Sequence, residues 1–391
     1  MKLMLFLGSG ISVPSGLPRA KEITDSLLNE SWHLDEISFR PGPPRDHRDP
    51  TLDLQCFLKS LKAYADGYYA LRGGQEANYE DIYYLVQQLR DDEQGRILNP
   101  AILDFLTGIK AKTEVMSERI PRNNPNHSSF LNMLIGTCTL IQCVVEQKLS
   151  TPREIKGLGL VEALASSPDI ERLDICTLNH DVLVERFLTE HASAAQIDVT
   201  DGFGQAVGRS TVRRFDPRLL ESDTKVRVFK LHGSIDWFMF ADTEGPFCGI
   251  PTNGDPHRWQ NEKGERLQNV FGGPVVLAGT YNKIINYGFG IIAEMHFWFH
   301  RLLKEHDTIA MCGYGWNDLG VNMRLTEWFN PRAKTRLCLM HESPEEVRQN
   351  PRSLMEKIYN DLVSSRRLIP IKKWMDRVTM QELLDSIPAS N

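Results

Sequence analysis

Apolar residues along the chain follow two rhythms. Short dense runs occur at KLMLFL (2–7), RLDICTL (172–178), KVRVFKLHG (225–233), PVVLAG (274–279), DTIAMCGYG (307–315) and KTRLCLMH (334–341). Each has the length of a buried strand. Between them, PRAKEITDSLLNE, DVLVERFLTEH, AEMHFWFHRLLKEH and LGVNMRLTEWF carry apolar residues at helical spacing. The order strand, turn, helix predicts an α/β fold, a Rossmann-like doubly wound and mostly parallel sheet.

From residue 50 to about 150 the rhythm becomes helical, in TLDLQCFLKSLKAYADGYYALRG, NYEDIYYLVQQLRDD, NPAILDFLTGIKAKTEVMSERI and HSSFLNMLIGTCTLIQCVVEQKL. The chain thus divides into a core (1–49 and 126–345), an α-helical insertion (50–125) and a C-terminal helical and strand extension (346–391). The Pro- and Arg-rich RPGPPRDHRDP (40–50) leads into the insertion. Residues 241–272, rich in Gly, Pro and Asn, predict long loops or a short hairpin.

Composition adds constraints. A net charge of −6 over 391 residues gives no basic footprint for direct nucleic-acid binding. The basic stretch SSRRLIPIKKWMDR (364–377) reads more readily as a solvated surface strand than as a binding patch. The seven cysteines form no CxxC pair, and Cys138 and Cys143 are too poorly spaced to share a zinc ion, so no metal is expected. Their odd number, with Cys176, Cys312 and Cys338 in strand-like runs, predicts reduced core thiols and a cytoplasmic setting. MKLMLFLG reads as a first strand and not as a signal peptide, and no run is long enough to predict a membrane span.

Four strand ends carry candidate chemistry. In GSGISVPSGLP (8–18), Gly8 and Gly10 would let a pyrophosphate approach the backbone, and Ser9 and Ser12 offer donors; a plain tight turn uses the same glycines. In TLNHD (177–181), Asn179 and Asp181 face one way if the chain stays extended, or serve as turn former and helix cap. His232 in KLHGSIDWF (230–238) is a general base or a core histidine bonded to backbone. CGYGWND (312–318) offers Gly313 and Gly315 for phosphate approach, and Asn317 or Asp318 for a ribose or a helix cap.

Taken together and in this order, the motifs resemble those of the sirtuin family. Gly8, Ser9, Gly10, Ile11 and Ser12, then Ser15, Gly16, Leu17 and Pro18, match the spacing of its GAGxS and SGxP elements. Thr177, Asn179 and Asp181 match TQNxD with Leu178 replacing Gln, and His232–Gly233 match the catalytic HG. PNH (125–127) is similar to the family's Pro-Asn…His helix start at altered spacing. The resemblance covers roughly residues 1–30 and 125–345. The chain departs in lacking the four-cysteine zinc module, in lacking Asp-Phe-Arg after SGLP, and in having Gly313–Tyr314–Gly315 for the GTS turn. LNHDVLVE, KLHGSIDWF and GYGWND look more like the bacterial sirtuin-like proteins that degrade NAD in antiviral defence, specifically the short stand-alone type.

That resemblance implies an NAD+ glycohydrolase. Asn179 would position water or the nicotinamide ribose, His232 would be the general base on a ribose hydroxyl, and Asp181 would hold the ribose or carboxamide region. Gly8, Ser9, Gly10 and Ser12 would bind the pyrophosphate, Thr177 and Gly315 would belong to the same cofactor-binding set, and Gly313, Asn317 and Asp318 would lie near the adenosine half. NAD would be substrate, and no metal would be required. The resemblance also implies homo-oligomerisation and a HerA-type ATPase partner as the gate. Alternatives are an NAD-dependent deacylase or ADP-ribosyltransferase, and a sensor that binds NAD or ADP-ribose without hydrolysing it. A dehydrogenase fits least: the turn lacks a third glycine, and no acidic residue follows at a second strand end.

Overall fold

A computed structural model of the chain describes residues 1–35, 38–46, 49–71, 74, 76–96, 99–121, 124–150, 154–195, 197–270, 273–279, 283, 287–330, 334–349 and 355–387. The strands are β1 (Lys2–Leu7), β2 (Trp32–Asp35), β3 (Ser38–Pro41), β4 (Arg172–Thr177), β5 (Val199–Thr200) and β6 (Val212–Arg214). They continue with β7 (Val226–Lys230), β8 (Phe238–Asp242), β9 (Gly245–Pro251), β10 (Thr308–Cys312), β11 (Arg336–Met340) and β12 (Leu368–Ile371). The helices are α1 (Ala20–Asn29), α2 (Thr51–Ala70), α3 (Tyr79–Glu93), α4 (Leu103–Arg119), α5 (Ser129–Leu149) and α6 (Gly159–Ser166). After these come α7 (Leu183–Ala195), α8 (Gly290–Glu305), α9 (Leu319–Phe329), α10 (Met355–Ser364) and α11 (Met380–Ser386).

Among the described residues, seven strands form one sheet in the order β12–β11–β10–β1–β4–β7–β5. Every pairing in it is parallel. The pleat of β1 explains the layering, because successive side chains point to opposite faces. Met4 and Phe6 pack with Met295, Trp298 and Phe299 of α8 and Leu325 of α9. Leu3, Leu5 and Leu7 pack with Val161 and Leu164 of α6, Val184 of α7 and Leu383 of α11. Helices therefore cover both faces of a mixed α/β structure, an arrangement compatible with a Rossmann-like fold. From β1 the chain builds outward to β4 and β7, then returns to add β10, β11 and β12 on the other side. The order reverses at β1, and the C-terminal end of such a switch point is where a crevice opens.

Helices α2–α5 form a separate apolar cluster with α1, centred on Leu54, Phe57, Leu58, Ile82, Val86, Met133 and Leu134. Helix α5, legible as a helix, is long and apolar enough to cross a membrane by length and composition, contrary to the expectation that no run would be, and 67% of its most apolar window is buried here. PVVLAG does not form a strand of the sheet, contrary to the sequence expectation. Its backbone instead bonds the loop that follows β7: Ser234 N–H donates to Val275 O, Val275 N–H to Trp237 O, and Leu277 N–H to His232 O. The 241–272 region begins as a β8–β9 hairpin joined by β6 in a three-stranded antiparallel sheet. The basic segment near the C-terminus supplies edge strand β12, and Lys372, Lys373 and Arg377 pair with Glu345, Glu382 and Glu342.

Candidate functional site

Two glycine turns meet at the switch point. Gly8 N–H donates to Cys312 O (2.9 Å) and Gly10 N–H to Gly313 O (3.0 Å), so the loops after β1 and β10 interlock through backbone. A Cβ on Gly8 would stand 2.4 Å from Gly313 O, and one on Gly313, whose φ is +74°, would stand 2.7 Å from Gly8 O. Only glycine permits that approach. Three residues after Gly313, Trp316 has φ +58°, unfavourable for a bulky side chain, and its carbonyl accepts a hydrogen bond from Asn322 Nδ2 (2.8 Å).

The turn after β4 is set by its own polar side chains. Thr177 Oγ1 accepts from Asn179 N–H (3.1 Å), and Asp181 Oδ1 accepts from Leu183 N–H (3.1 Å) at the start of α7. Ser12 Oγ lies 2.7 Å from Asp181 Oδ2 and 3.0 Å from Asn179 Nδ2. A carboxylate only accepts, so Ser12 donates to Asp181 and must accept from Asn179. That relay fixes the Asn179 amide with Nδ2 on Ser12, leaving Oδ1 buried and without a partner.

The loop after β7 brings in His232. Gly233 follows it with φ +76°, and a Cβ there would stand 2.0 Å from Val275 O, so the turn requires glycine. His232 Nε2 and Asp318 Oδ2 are 3.2 Å apart. They are not aligned as a hydrogen bond, and neither atom has another hydrogen-bonding partner. Asp318 caps α9 by accepting from Val321 N–H (2.9 Å) and also accepts from Tyr287 Oη–H (2.7 Å). Burial, reinforced by Lys283, holds the His232 pKa below its ordinary value, with Asp318 opposing. Burial would raise the Asp318 carboxyl, but His232, Lys283 and Tyr287 outweigh it and keep it well below the usual range. The site thus rests with a neutral imidazole beside a carboxylate.

Gly8, Ser9, Ser12, Asn179, Asp181, His232, Gly313, Gly315, Asn317 and Asp318 line one cavity of about 330 Å³. This lies within the usual size of small-molecule sites, roughly 300–1,000 Å³. Two of the residues expected there do not line it. Gly10 is packed against Gly313 and the Trp374 ring, where a Cβ would stand 2.9 Å from each. Thr177 is buried behind the turn it stabilises. Ser12, expected on a phosphate, is buried and committed to Asn179 and Asp181, whereas Ser9 is exposed at the wall.

Other lining residues had no assigned role in the sequence. His180, inside TLNHD, lines the cavity. Tyr69, Asn78, Glu80 and Asp81 bring part of the wall from the helical insertion, and Glu80 Oε2 accepts from Lys283 Nζ (2.9 Å). Only His180 had a signal within reach, as the neighbour of Asn179; the insertion residues follow no motif. Behind the wall, Lys230 Nζ pairs with Glu185 Oε1 (2.8 Å) and donates to the Asp181 carbonyl. No group of acidic, histidine or cysteine side chains suited to a metal ion occurs among the described residues. No protein-family model and no curated protein matches the chain.

Proposed function

We propose that the protein binds NAD+ in this cavity and hydrolyses the nicotinamide–ribose bond. The observation that carries this reading is the convergence of Asn179 and Asp181 from the end of β4 and His232 from the end of β7 on one cavity at the switch point of a parallel sheet. The order of their motifs, which resembles that of sirtuin-like NAD-degrading proteins, supplies the choice of substrate.

In the reaction the C1′–N bond breaks and its electron pair neutralises the pyridinium, releasing nicotinamide. Positive charge develops at C1′, water adds there, and one proton is released as ADP-ribose forms. His232, neutral at physiological pH, accepts a proton from a ribose hydroxyl or, through it, from the water. Asp318, beside His232 and not at the adenosine half first expected for it, steadies the imidazolium that results. Asn179, its amide fixed by Ser12, presents Oδ1 as acceptor to the water or the ribose. Asp181 orients Ser12 and places a negative charge on the side of the cavity where the cationic ring is cleaved. Ser9 and the Gly313–Gly315 turn face the phosphates. Homo-oligomerisation and a HerA-type ATPase form the gate in this reading, because unregulated hydrolysis would drain the cell's NAD+.

Titration calorimetry with ADP-ribose, followed by chromatography of NAD+ incubations, tests the reading. The wild type binds ADP-ribose and releases nicotinamide, while Asn179→Ala and His232→Ala retain the fold and lose release. Absence of binding to either nucleotide would overturn it.

A further inference from the structure

Two imidazoles face this cavity, and the proposed reaction uses one. His180 lines the same wall as His232, with ring centroids 6.2 Å apart. Both rings are buried, at 6% and 4% exposure, and each leaves Nε2 without a hydrogen-bonding partner.

The surroundings of His180 fix which kind of partner it needs. The ring lies against the Leu277 backbone, and its Nε2 is buried without a hydrogen-bonding partner. A neutral imidazole carries one hydrogen and one lone pair, so the ring has one acceptor nitrogen. Burial, together with His232, Lys283 and Lys230, keeps the ring neutral. His180 therefore offers an acceptor, as does neutral His232 in the role given it above. Leaving such a nitrogen buried and unpaired is unfavourable, and a donor entering the cavity relieves that cost.

Two acceptors at this separation suit a ligand that carries two adjacent donors. Neighbouring hydroxyls of a furanose ring are such a pair. The aspartates of the cavity point to the same preference, since Asp181 and Asp318 disfavour an anionic group at this end, while Glu80 is paired with Lys283. We propose that His180 is a second sugar-binding residue, accepting a hydrogen bond from one hydroxyl of a vicinal diol whose other hydroxyl faces His232. The site would then take ligands whose sugar keeps both hydroxyls. This inference rests on the dinucleotide reading and adds to it a requirement on the ribose.

The test is titration calorimetry of ADP-ribose and of its analogues lacking the 2″- or the 3″-hydroxyl on the terminal ribose, against wild type, His180→Phe and His180→Gln. The wild type is expected to lose about tenfold in affinity for each missing hydroxyl, the equivalent of one hydrogen bond of about 1.4 kcal/mol. His180→Phe should bind ADP-ribose about tenfold more weakly and should cease to discriminate against one analogue while still penalising the other. His180→Gln, which returns an acceptor near Nε2, should recover part of the affinity. A purely structural role for His180 would weaken all three ligands equally. Equal binding of ADP-ribose to wild type and His180→Phe, or an unchanged penalty for both analogues, overturns the proposal. If the wild type binds none of the three ligands, the dinucleotide reading itself falls and this inference falls with it.

Discussion

Replacing Ser12 with alanine removes a hydroxyl that serves two partners at once, as donor to Asp181 (2.7 Å) and acceptor from Asn179 (3.0 Å). The first is a hydrogen bond to a charged group, worth about 1.5–3 kcal/mol, and the second leaves a buried amide N–H unpaired at a further cost of about 1–3 kcal/mol. Partial relaxation and entry of water reduce the sum, so a net loss of about 2–4 kcal/mol is expected. An unfolding entropy of about 2.1 cal/mol/K per residue over 391 residues gives about 0.8 kcal/mol/K. The melting midpoint should therefore fall by about 2–5 °C. Turnover should fall as well, because the Asn179 amide is free to rotate, whereas affinity for ADP-ribose should change little. Differential scanning fluorimetry and calorimetry on the same preparation read both quantities. If Ser12 were a phosphate ligand, the pattern would invert. An unchanged midpoint with a more than about tenfold loss of ADP-ribose affinity would refute the relay.

Three further outcomes follow from the same geometry. Gly8→Ala forces a Cβ to 2.4 Å from Gly313 O and should destabilise the protein by about 1–3 kcal/mol or prevent folding. Gly315→Ala meets nothing closer than Asn317 Nδ2 at 3.4 Å, so it should melt like wild type and report on ligand approach alone; both are read by thermal melts. Asp318→Asn keeps an acceptor for Val321 and Tyr287 but removes the charge that raises the His232 pKa. The His232 ring signal, followed by NMR, should then titrate at lower pH, and a shift to higher pH would contradict the electrostatic account. Burial pushes Asp174 up, but His306 and Arg227 outweigh it and hold its pKa at about 2. Because that folded value lies below the unfolded one of about 3.9, the stability it contributes is full above pH about 4. It is lost as pH falls through about 2, amounting to about 2 kcal/mol. Acid titration of wild type and Asp174→Asn by circular dichroism checks this, with the difference between them narrowing as the pH falls.

The sheet was legible because its strands are short apolar runs bounded by glycine turns, and β1, β4, β7, β10 and β11 lie within a few residues of those runs. PVVLAG has the same composition as a strand, but its partner is the 232–237 loop, a choice made by tertiary contacts that periodicity does not encode. The basic stretch was legible as a strand and supplies β12, but not as a half-buried one, with Leu368 and Ile371 turned into the core. At the site, the strand-end motifs led to Asn179, Asp181, His232 and Asp318 because side chains at those ends converge in a parallel sheet. Ser12 was legible as a site residue but not as a relay, since its partners lie 167 and 169 positions away. Lys283 and Glu80 could not be read at all: their pairing joins the insertion to the core across 203 positions.

The most direct test of the central claim is a mass balance on NAD+ by liquid chromatography and mass spectrometry, using the protein alone and co-expressed with a HerA-type ATPase. Loss of NAD+ matched one for one by nicotinamide and ADP-ribose is expected, and Asn179→Ala and His232→Ala should abolish it. NAD+ that binds but stays intact in both preparations, or a loss that both variants reproduce, would contradict the account.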